Sequence, residues 1–327
     1  MTIAPIEIMF KTNHLKAGQA FKNSHKILFI SHNRPDGDTL AASCALIDLA
    51  DELGKEFTAF CIDKPNQQFE FLPWIEKFQT EVCDFSSYDL IVILDCGSIE
   101  RTGLVKEIKN RNKKQTVIEF DHHLKVDDYT NISLKVSDAA STTEVLYDFF
   151  KFNNFKINKN RATCILTGIS TDTGNFIYPS TSEKTISIAS RMISYGAKLP
   201  MILDKTWRNK NIEIMKLWGL AINNLKINKK YNFAYTVLTH KEIEESGVSS
   251  EELEGVSGFL SNLKDVKALL FLTEIEPGFI KGSLRTAKHG INLSVLANKL
   301  GGGGHTKAAG FRVNGEIKTV DGGWKIM

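Results

Sequence analysis

The sequence has no C-x-x-C pair, and its five cysteines, Cys44, Cys61, Cys83, Cys96 and Cys164, are odd in number and mostly set inside apolar patterns. That excludes a disulfide framework and a thiolate zinc site, and predicts reduced, buried thiols in a cytosolic protein. Long hydrophobic runs are missing too. The longest, Leu90 to Leu94 and Ala268 to Leu272, fall far short of the ~20 residues that span a bilayer. Met1-Thr2-Ile3-Ala4-Pro5-Ile6-Glu7 offers no basic stretch followed by an apolar one, so no leader is expected. Charge of one sign is scarce: Lys+Arg 41 against Asp+Glu 38 leaves +3, too little for a broad footprint on long duplex nucleic acid. A cytoplasmic protein that binds no membrane is expected, and a small anionic ligand in a local pocket stays open. Oligomeric state is not readable; a homodimer is compatible.

What is present is ordinary globular usage, 42% apolar and 24% charged. A length of 327 residues predicts two domains at ~150 residues each. A polar helix is expected over 11–24. Lys26 to Ile30 then reads as a doubly covered strand, followed by Ser31-His32-Asn33-Arg34-Pro35-Asp36-Gly37-Asp38. A helix comes next, capped by Asp38 or Thr39, with Ala42, Leu46, Leu49, Ala50 and Leu53 at helical spacing. The alternation continues with strands at 57–62, Leu90 to Leu94 ending at Asp95, and Thr116 to Phe120 ending at Asp121-His122-His123. Ser141-Thr142-Thr143-Glu144 has capping-box spacing and opens a helix; another delivers Asp172 at its end; a third is capped by Ser180. The fold class is α/β: a mainly parallel sheet in the N-terminal domain, 1–196, a linker with some helix over 197–216, and a smaller α+β domain, 217–327, across a cleft. Strands are expected near 221–227 and 232–238, and at 267–273 and 278–286, with a helix start at Thr306 to Ala309.

Three strands thus end in ionisable residues, and in open α/β sheets ligands gather at such ends. Taken singly, His32, Asp36 and Asp38 are a loop histidine and two turn or cap residues. Repetition argues otherwise. Carboxylates at this density repel one another unless a cation neutralises them. Oxygen donors with a minority of imidazoles favour Mn²⁺ or Mg²⁺ over structural zinc. His32, Asp36, Asp38, Asp95, His122 and Asp172 are too many for one ion with open positions and suit two. Two metals ~3.5–4 Å apart can share a bridging carboxylate and a hydroxide that attacks phosphorus in line. The expected chemistry is phosphoester hydrolysis. In the C-terminal domain, glycine-freed backbone N–H groups of Gly302, Gly303 and Gly304, with His305 and the helix start beyond, predict an anion cradle.

His32-x-x-x-Asp36-x-Asp38, Asp95, Asp121-His122-His123 and Asp172, in this order, resemble the motifs of the DHH phosphoesterase family. Gly301-Gly302-Gly303-Gly304-His305-x-x-Ala308-Ala309-Gly310 resembles the glycine-rich signature of the family's associated C-terminal domain. Together they span about residues 26–312. The resemblance implies that His32 and Asp36 hold one metal, that Asp38, His122 and Asp172 hold the other, and that Asp95 bridges them. It further implies that His123 faces the substrate phosphate while Asp121 orients a histidine. Ser283-Leu284-Arg285-Thr286 is similar to the family's substrate-binding strand, which makes Arg285 a phosphate ligand. Ala42-Ser43 stands where many relatives have Gly-Ser, on the helix rather than at a ligand.

The two-domain layout is similar to the nano-RNase and pAp phosphatase branch, which implies hydrolysis of short oligoribonucleotides to mononucleotides and of 3′-phosphoadenosine 5′-phosphate (pAp) to AMP, with Mn²⁺ as the expected metal. Two alternatives stand beside it: a phosphodiesterase acting on cyclic di-AMP or pApA, and a non-catalytic nucleotide sensor, against which the full set of ligands argues.

Overall fold

Apolar runs whose residues face two ways become central strands only where helices cover both sides, and the first unit is built on that rule. A computed structural model describes residues 4–124, 128–248, 253, 255–288, 290–304, 306–320 and 323–327. The chain divides into two compact units, Met1–Asn209 and Lys210–Met327.

In the first unit α1 (Ala4–Asn23) leads to β1 (Lys26–Ser31), α2 (Gly37–Glu52), β2 (Glu56–Phe60), the short β3 (Phe78–Gln79), β4 (Leu90–Leu94), α3 (Val105–Lys109), β5 (Thr116–Asp121) and β6 (Ile132–Lys135). Four helices close it: α4 (Thr142–Phe152), α5 (Lys159–Asp172), α6 (Glu183–Ser194) and α7 (Leu199–Thr206). The strands form one sheet in the order β3-β2-β1-β4-β5-β6, each pair parallel. Ile27, Phe29, Leu90, Val92 and Leu94 pack into one core with α2, α4 and α5, whereas Leu28, Ile30, Ile91, Ile93 and Val117 pack into another with Ile99 and Ile108. Each such buried aliphatic side chain contributes ~1.5–3 kcal/mol relative to exposure.

Strand order reverses between β1 and β4, which makes a topological switch point where a crevice opens beyond the strand ends. Register does the rest. Ser31 pairs with Leu94, and Leu94 with Phe120, so the next residues, His32, Asp95 and Asp121, stand in a row on three adjacent strands.

Helices α2 and α5 pack antiparallel and are tied at both ends. At one end buried Arg161 pairs with Asp48 at 2.9 Å, and Asp48 also accepts from Asn158 and Asn160. At the other, Gly168 of α5 lies against Asp38 and Thr143; a Cβ there would collide with both. Glycine at 168 therefore sets how closely Asp172, one turn further along, comes to α2.

The second unit runs α8 (Ile212–Asn223), β7 (Lys226–Asn228), β8 (Phe233–Leu238), α9 (His240–Ser246), α10 (Val256–Leu260), β9 (Leu269–Glu276), β10 (Phe279–Arg285), α11 (Leu293–Lys299), β11 (Gly303–Gly304), β12 (Ala308–Asn314), β13 (Ile317–Val320) and β14 (Gly323–Ile326). A mixed sheet has the order β11-β12-β10-β9-β8-β7, parallel only between β8 and β9, and β13 and β14 pair separately. Along β10, Ile280, Gly282 and Leu284 are buried while Lys281, Ser283 and Arg285 are half-buried, the alternation expected of a strand with one covered face.

Several local expectations are corrected. The helix expected over 11–24 starts at Ala4. The cap of α2 is Asp36, whose carboxylate accepts from the Asp38 and Thr39 amides, and α6 is capped by Ser182 rather than Ser180 because Thr185 completes a reciprocal box there. Residues 221–223 end a helix, since Ile214, Leu217, Trp218 and Ala221 share a buried stripe at helical spacing. No helix starts at Thr306. Ala308–Asn314 is β12, held along its length by β10. The stretch 197–216 carries α7 in the first unit and opens α8 in the second. Cys83 is exposed; the other thiols are buried and all are free. No helix is long and apolar enough to cross a membrane, among the described residues.

Candidate metal centre

The loop after β1 supplies His32 and Asp36, the first turn of α2 Asp38, the residue after β4 Asp95, the end of β5 Asp121 to His123, and the last turn of α5 Asp172. Helix ends and strand ends converge because the sheet is parallel: every β-strand delivers its final residue to one edge. Asp95 sits at φ 58°, a left-handed conformation uncommon for a residue with a Cβ, and its backbone N–H donates to Phe120 O at 2.9 Å. The turn is held by the sheet itself.

The donor atoms of these side chains lie close together. His32 Nε2 lies 3.4 Å from Asp36 Oδ2 and 3.8 Å from Asp95 Oδ2. His122 Nε2 lies 3.4 Å from Asp95 Oδ1 and 3.1 Å from Asp172 Oδ2. Three groups of donors fall within metal-binding reach: His32, Asp36 and Asp95; Asp38, His122 and Asp172; Asp95, His122 and His123. Asp95 turns one oxygen to each imidazole.

Backbone carbonyls fix the histidine tautomers. His32 Nδ1 is 2.7 Å from Asn33 O and His122 Nδ1 is 3.3 Å from Ala139 O, so in both rings Nδ1 carries the proton and Nε2 presents a lone pair to the cluster. His32 Nε2 is buried with no hydrogen-bond partner. A buried acceptor left in that condition is costly, and a cation satisfies it. His123 is placed differently: Asp121 receives its Nδ1 at 2.7 Å and its backbone N–H at 2.8 Å. Lys135 braces Asp121 from behind at 3.2 Å.

Threonines 142 and 143 also belong to the site. Asp38 accepts from Thr142 N at 2.6 Å, Thr143 N at 3.1 Å and Thr143 Oγ1 at 2.9 Å, and Thr142 Oγ1 donates to Asp95 Oδ1 at 2.8 Å. A carboxylate has ~four acceptor positions, so Asp38 retains one for a metal. The spacing of Ser141 to Glu144 signals only a helix cap; the second use of the same turn requires α4 to point at the cluster, which no local pattern reveals.

Electrostatics follow from crowding. Burial, then the charges of Asp172 and Asp95, push Asp38 well up. Burial, with Asp36 and Asp95 behind it, lifts Asp172 to about 6 against the pull of His122. Burial opposes charging of His123, but its bonds to Asp121 and Asp95 outweigh that and lift it to about 9. His122 rises well above its usual range for the same reason, through Asp172 and Asp95. The oxygen-rich donor set with two imidazoles and no thiolate fits hard divalent ions.

In the second unit Arg285 closes β10 opposite Ala308, while Gly303 and Gly304 pair with Gly310 and Ala309 across the same strand, so these residues share one corner of the sheet. Arg285 Nη1 donates to Leu284 O at 2.9 Å. Gly304 has φ 131°, and a Cβ there would lie 2.7 Å from Ala308 O; Gly302 presses on Gly310 O and the Phe311 backbone. Close strand approach accounts for both glycines. The helix start expected beyond the glycines does not form, because β12 occupies that segment. His305 lies outside the described residues.

A doubly wound parallel sheet with an acidic and imidazole-bearing edge defines a class, and the comparisons give it a family. A model of the DHH family N-terminal domain matches residues 26–169, and one of the DHHA1 domain matches residues 230–320. The protein belongs to the DHH family and carries a DHHA1 domain. Among curated relatives it is similar to the bifunctional oligoribonuclease and PAP phosphatase NrnA of Bacillus subtilis, 27% identical over 88% of this chain and 89% of that one. It is also similar to the cyclic-di-AMP phosphodiesterase PdeA of Listeria monocytogenes, 22% identical over 92% of this chain and 48% of that protein. An exopolyphosphatase-related protein from Bacteroides fragilis shares the fold with TM-score 0.84, at 25% identity over 95% of this chain and 92% of that one.

Proposed function

We propose that this protein uses two divalent ions, Mn²⁺ by preference, to hydrolyse short oligoribonucleotides to mononucleotides and to remove the 3′-phosphate of pAp. The observation that carries this reading is Asp95, which faces His32 with one carboxylate oxygen and His122 with the other. In this reading His32 and Asp36 hold the first ion, Asp38, His122 and Asp172 the second, and Asp95 both. Bound ions supply Lewis acidity and lower the pKa of the attacking water. The chain's own residues do the rest. Asp121 holds the His123 imidazole with its proton on Nδ1, so Nε2 faces the substrate side, and Thr142 keeps Asp95 from rotating. Residues 1–196 form the catalytic domain and 217–327 the substrate-binding domain, where Arg285 and the Gly302–Gly304 backbone, with His305, take a phosphate away from the reacting one. A net charge of +3 suits short substrates rather than long duplexes. The NrnA relative supports the substrate pair; five unpaired cysteines suit the cytoplasm.

A second reading, cleavage of cyclic di-AMP or pApA, draws on the PdeA relative. Steady-state assays with Mn²⁺ on di- to pentaribonucleotides, pAp, pApA and cyclic di-AMP separate the two by kcat/KM. Absence of turnover on all of them, with metal bound, would overturn both in favour of a sensor.

A further inference from the structure

Beside the cluster stands a cation that the reading above does not use. After β4 the chain makes a short 3-10 turn, Ile99–Thr102, ended by Gly103 at φ 72°. The turn is tied to the loop that carries His32, because Asn33 N donates to Arg101 O at 2.8 Å. The Arg101 side chain folds back along Cys96 and Gly97, with Nη1 3.2 Å from Cys96 O. A Cβ built on Gly97 would lie 3.3 Å from the His123 ring and 3.6 Å from Arg101 Nη1, so guanidinium and imidazole flank one backbone position.

Arg101 is half-buried, yet among the described residues no carboxylate comes within ion-pair distance of it, although Asp36 and Asp95 belong to the same corner of the fold. Its contact with Cys96 O leaves most of the guanidinium fork without an acceptor among the described residues. A structural arginine in such company pairs with a carboxylate, as Arg161 does with Asp48. The carboxylates here are instead engaged by His32, His122, His123 and the α4 threonines. A planar fork with open donors, held at the rim of an acidic cluster, matches the geometry of a phosphoryl group.

We propose that Arg101 is a substrate-binding residue of the first unit, whose guanidinium receives a non-bridging oxygen of the phosphate under attack, on the side of the cluster shared with His123. This rests on the phosphoesterase reading. It assigns two separate phosphate contacts to the chain, Arg101 for the reacting group and Arg285 for a distant one. As charge accumulates on the non-bridging oxygens during attack, a fixed guanidinium stabilises it without reorganisation.

The test compares Arg101→Gln and Arg101→Lys with the wild type as full-length, Mn²⁺-loaded protein, by calorimetric titration of Mn²⁺, calorimetric titration of inorganic phosphate, and kinetics on pApA. Expected are unchanged Mn²⁺ affinity and melting temperature, a phosphate Kd raised about 10-fold in Arg101→Gln, and kcat/KM lowered on the order of 10²-fold. Lysine should restore part of the loss, since it keeps the charge and not the fork. Phosphate affinity and kcat/KM within twofold of wild type would overturn the proposal. So would a loss of Mn²⁺ affinity that accounts for the loss of activity, because Arg101 would then be holding the loops rather than the substrate. If the wild type turns over no phosphoester, the functional reading fails, while the phosphate titration still decides for or against Arg101.

Discussion

Two buried histidines of the first unit have opposite chemistry. His14, on α1, is fully buried between Phe10 and Phe152, with both ring nitrogens lacking hydrogen-bond partners. Burial drives its pKa down to about 4, with Lys184 assisting and Asp148 opposing. His32 is as deeply buried, but its Nδ1 is held by a carbonyl and its Nε2 faces Asp36 and Asp95, whose charges overcome burial and raise its pKa. The difference teaches that burial alone makes a histidine inert. A carbonyl on one nitrogen and carboxylates before the other make it a ligand.

The comparison is broken most directly at Asp95. Asp95→Ala should remove the carboxylate that His32 and His122 share through its two oxygens and lower kcat/KM on the order of 10³-fold or more, with weakened Mn²⁺ binding in calorimetry. Near-normal kcat would refute the shared-ligand role. Metal uptake should also release protons, because ions displace those held by Asp172 near 6 and by the raised imidazoles. Affinity therefore rises with pH, and titrations at pH 7 in buffers of different ionisation enthalpy should report net release; none would contradict the donor assignment.

At His14 the pKa shift runs the other way, downward. The unfolded chain takes up this proton near 6.5 and the folded one only near 4, so stability is complete above 6.5 and falls as the pH drops toward 4, by up to about 3 kcal/mol. His14→Leu should flatten the melting-temperature profile between those limits by several degrees and leave Mn²⁺ affinity alone. An unchanged profile would mean that other groups dominate acid sensitivity. The smallest effect extends the comparison to the second unit: Arg285→Ala should raise KM about 10-fold on a dinucleotide while kcat holds. A fall in kcat at constant KM would place Arg285 at the chemistry instead.

Much of this was legible in the residue order. Buried strands announce themselves as apolar runs, as Leu90 to Leu94 does, and a carboxylate directly after such a run has few structural reasons to be there. Local misreadings cluster where one residue does two jobs: Asp36 is both cap and candidate ligand, and Thr142 both opens α4 and holds Asp95. The glycine run misled for a related reason. Glycine serves both helix starts and tight strand contacts, and only the neighbouring strand tells that Gly304 has the second role.

What the sequence alone determined is the inventory: two imidazoles and four carboxylates at strand and helix ends, types that suit hard divalent ions. Their meeting is a property of the tertiary structure. The parallel register that sets Ser31 beside Leu94 and Leu94 beside Phe120 aligns residues nearly ninety positions apart, and the Gly168 contact brings Asp172 in from α5. Spacing along a chain cannot encode those distances, because they depend on how strands pair and how closely helices pack. His14 and His32 differ by the same rule: their neighbours in space, rather than in sequence, decide which one carries function.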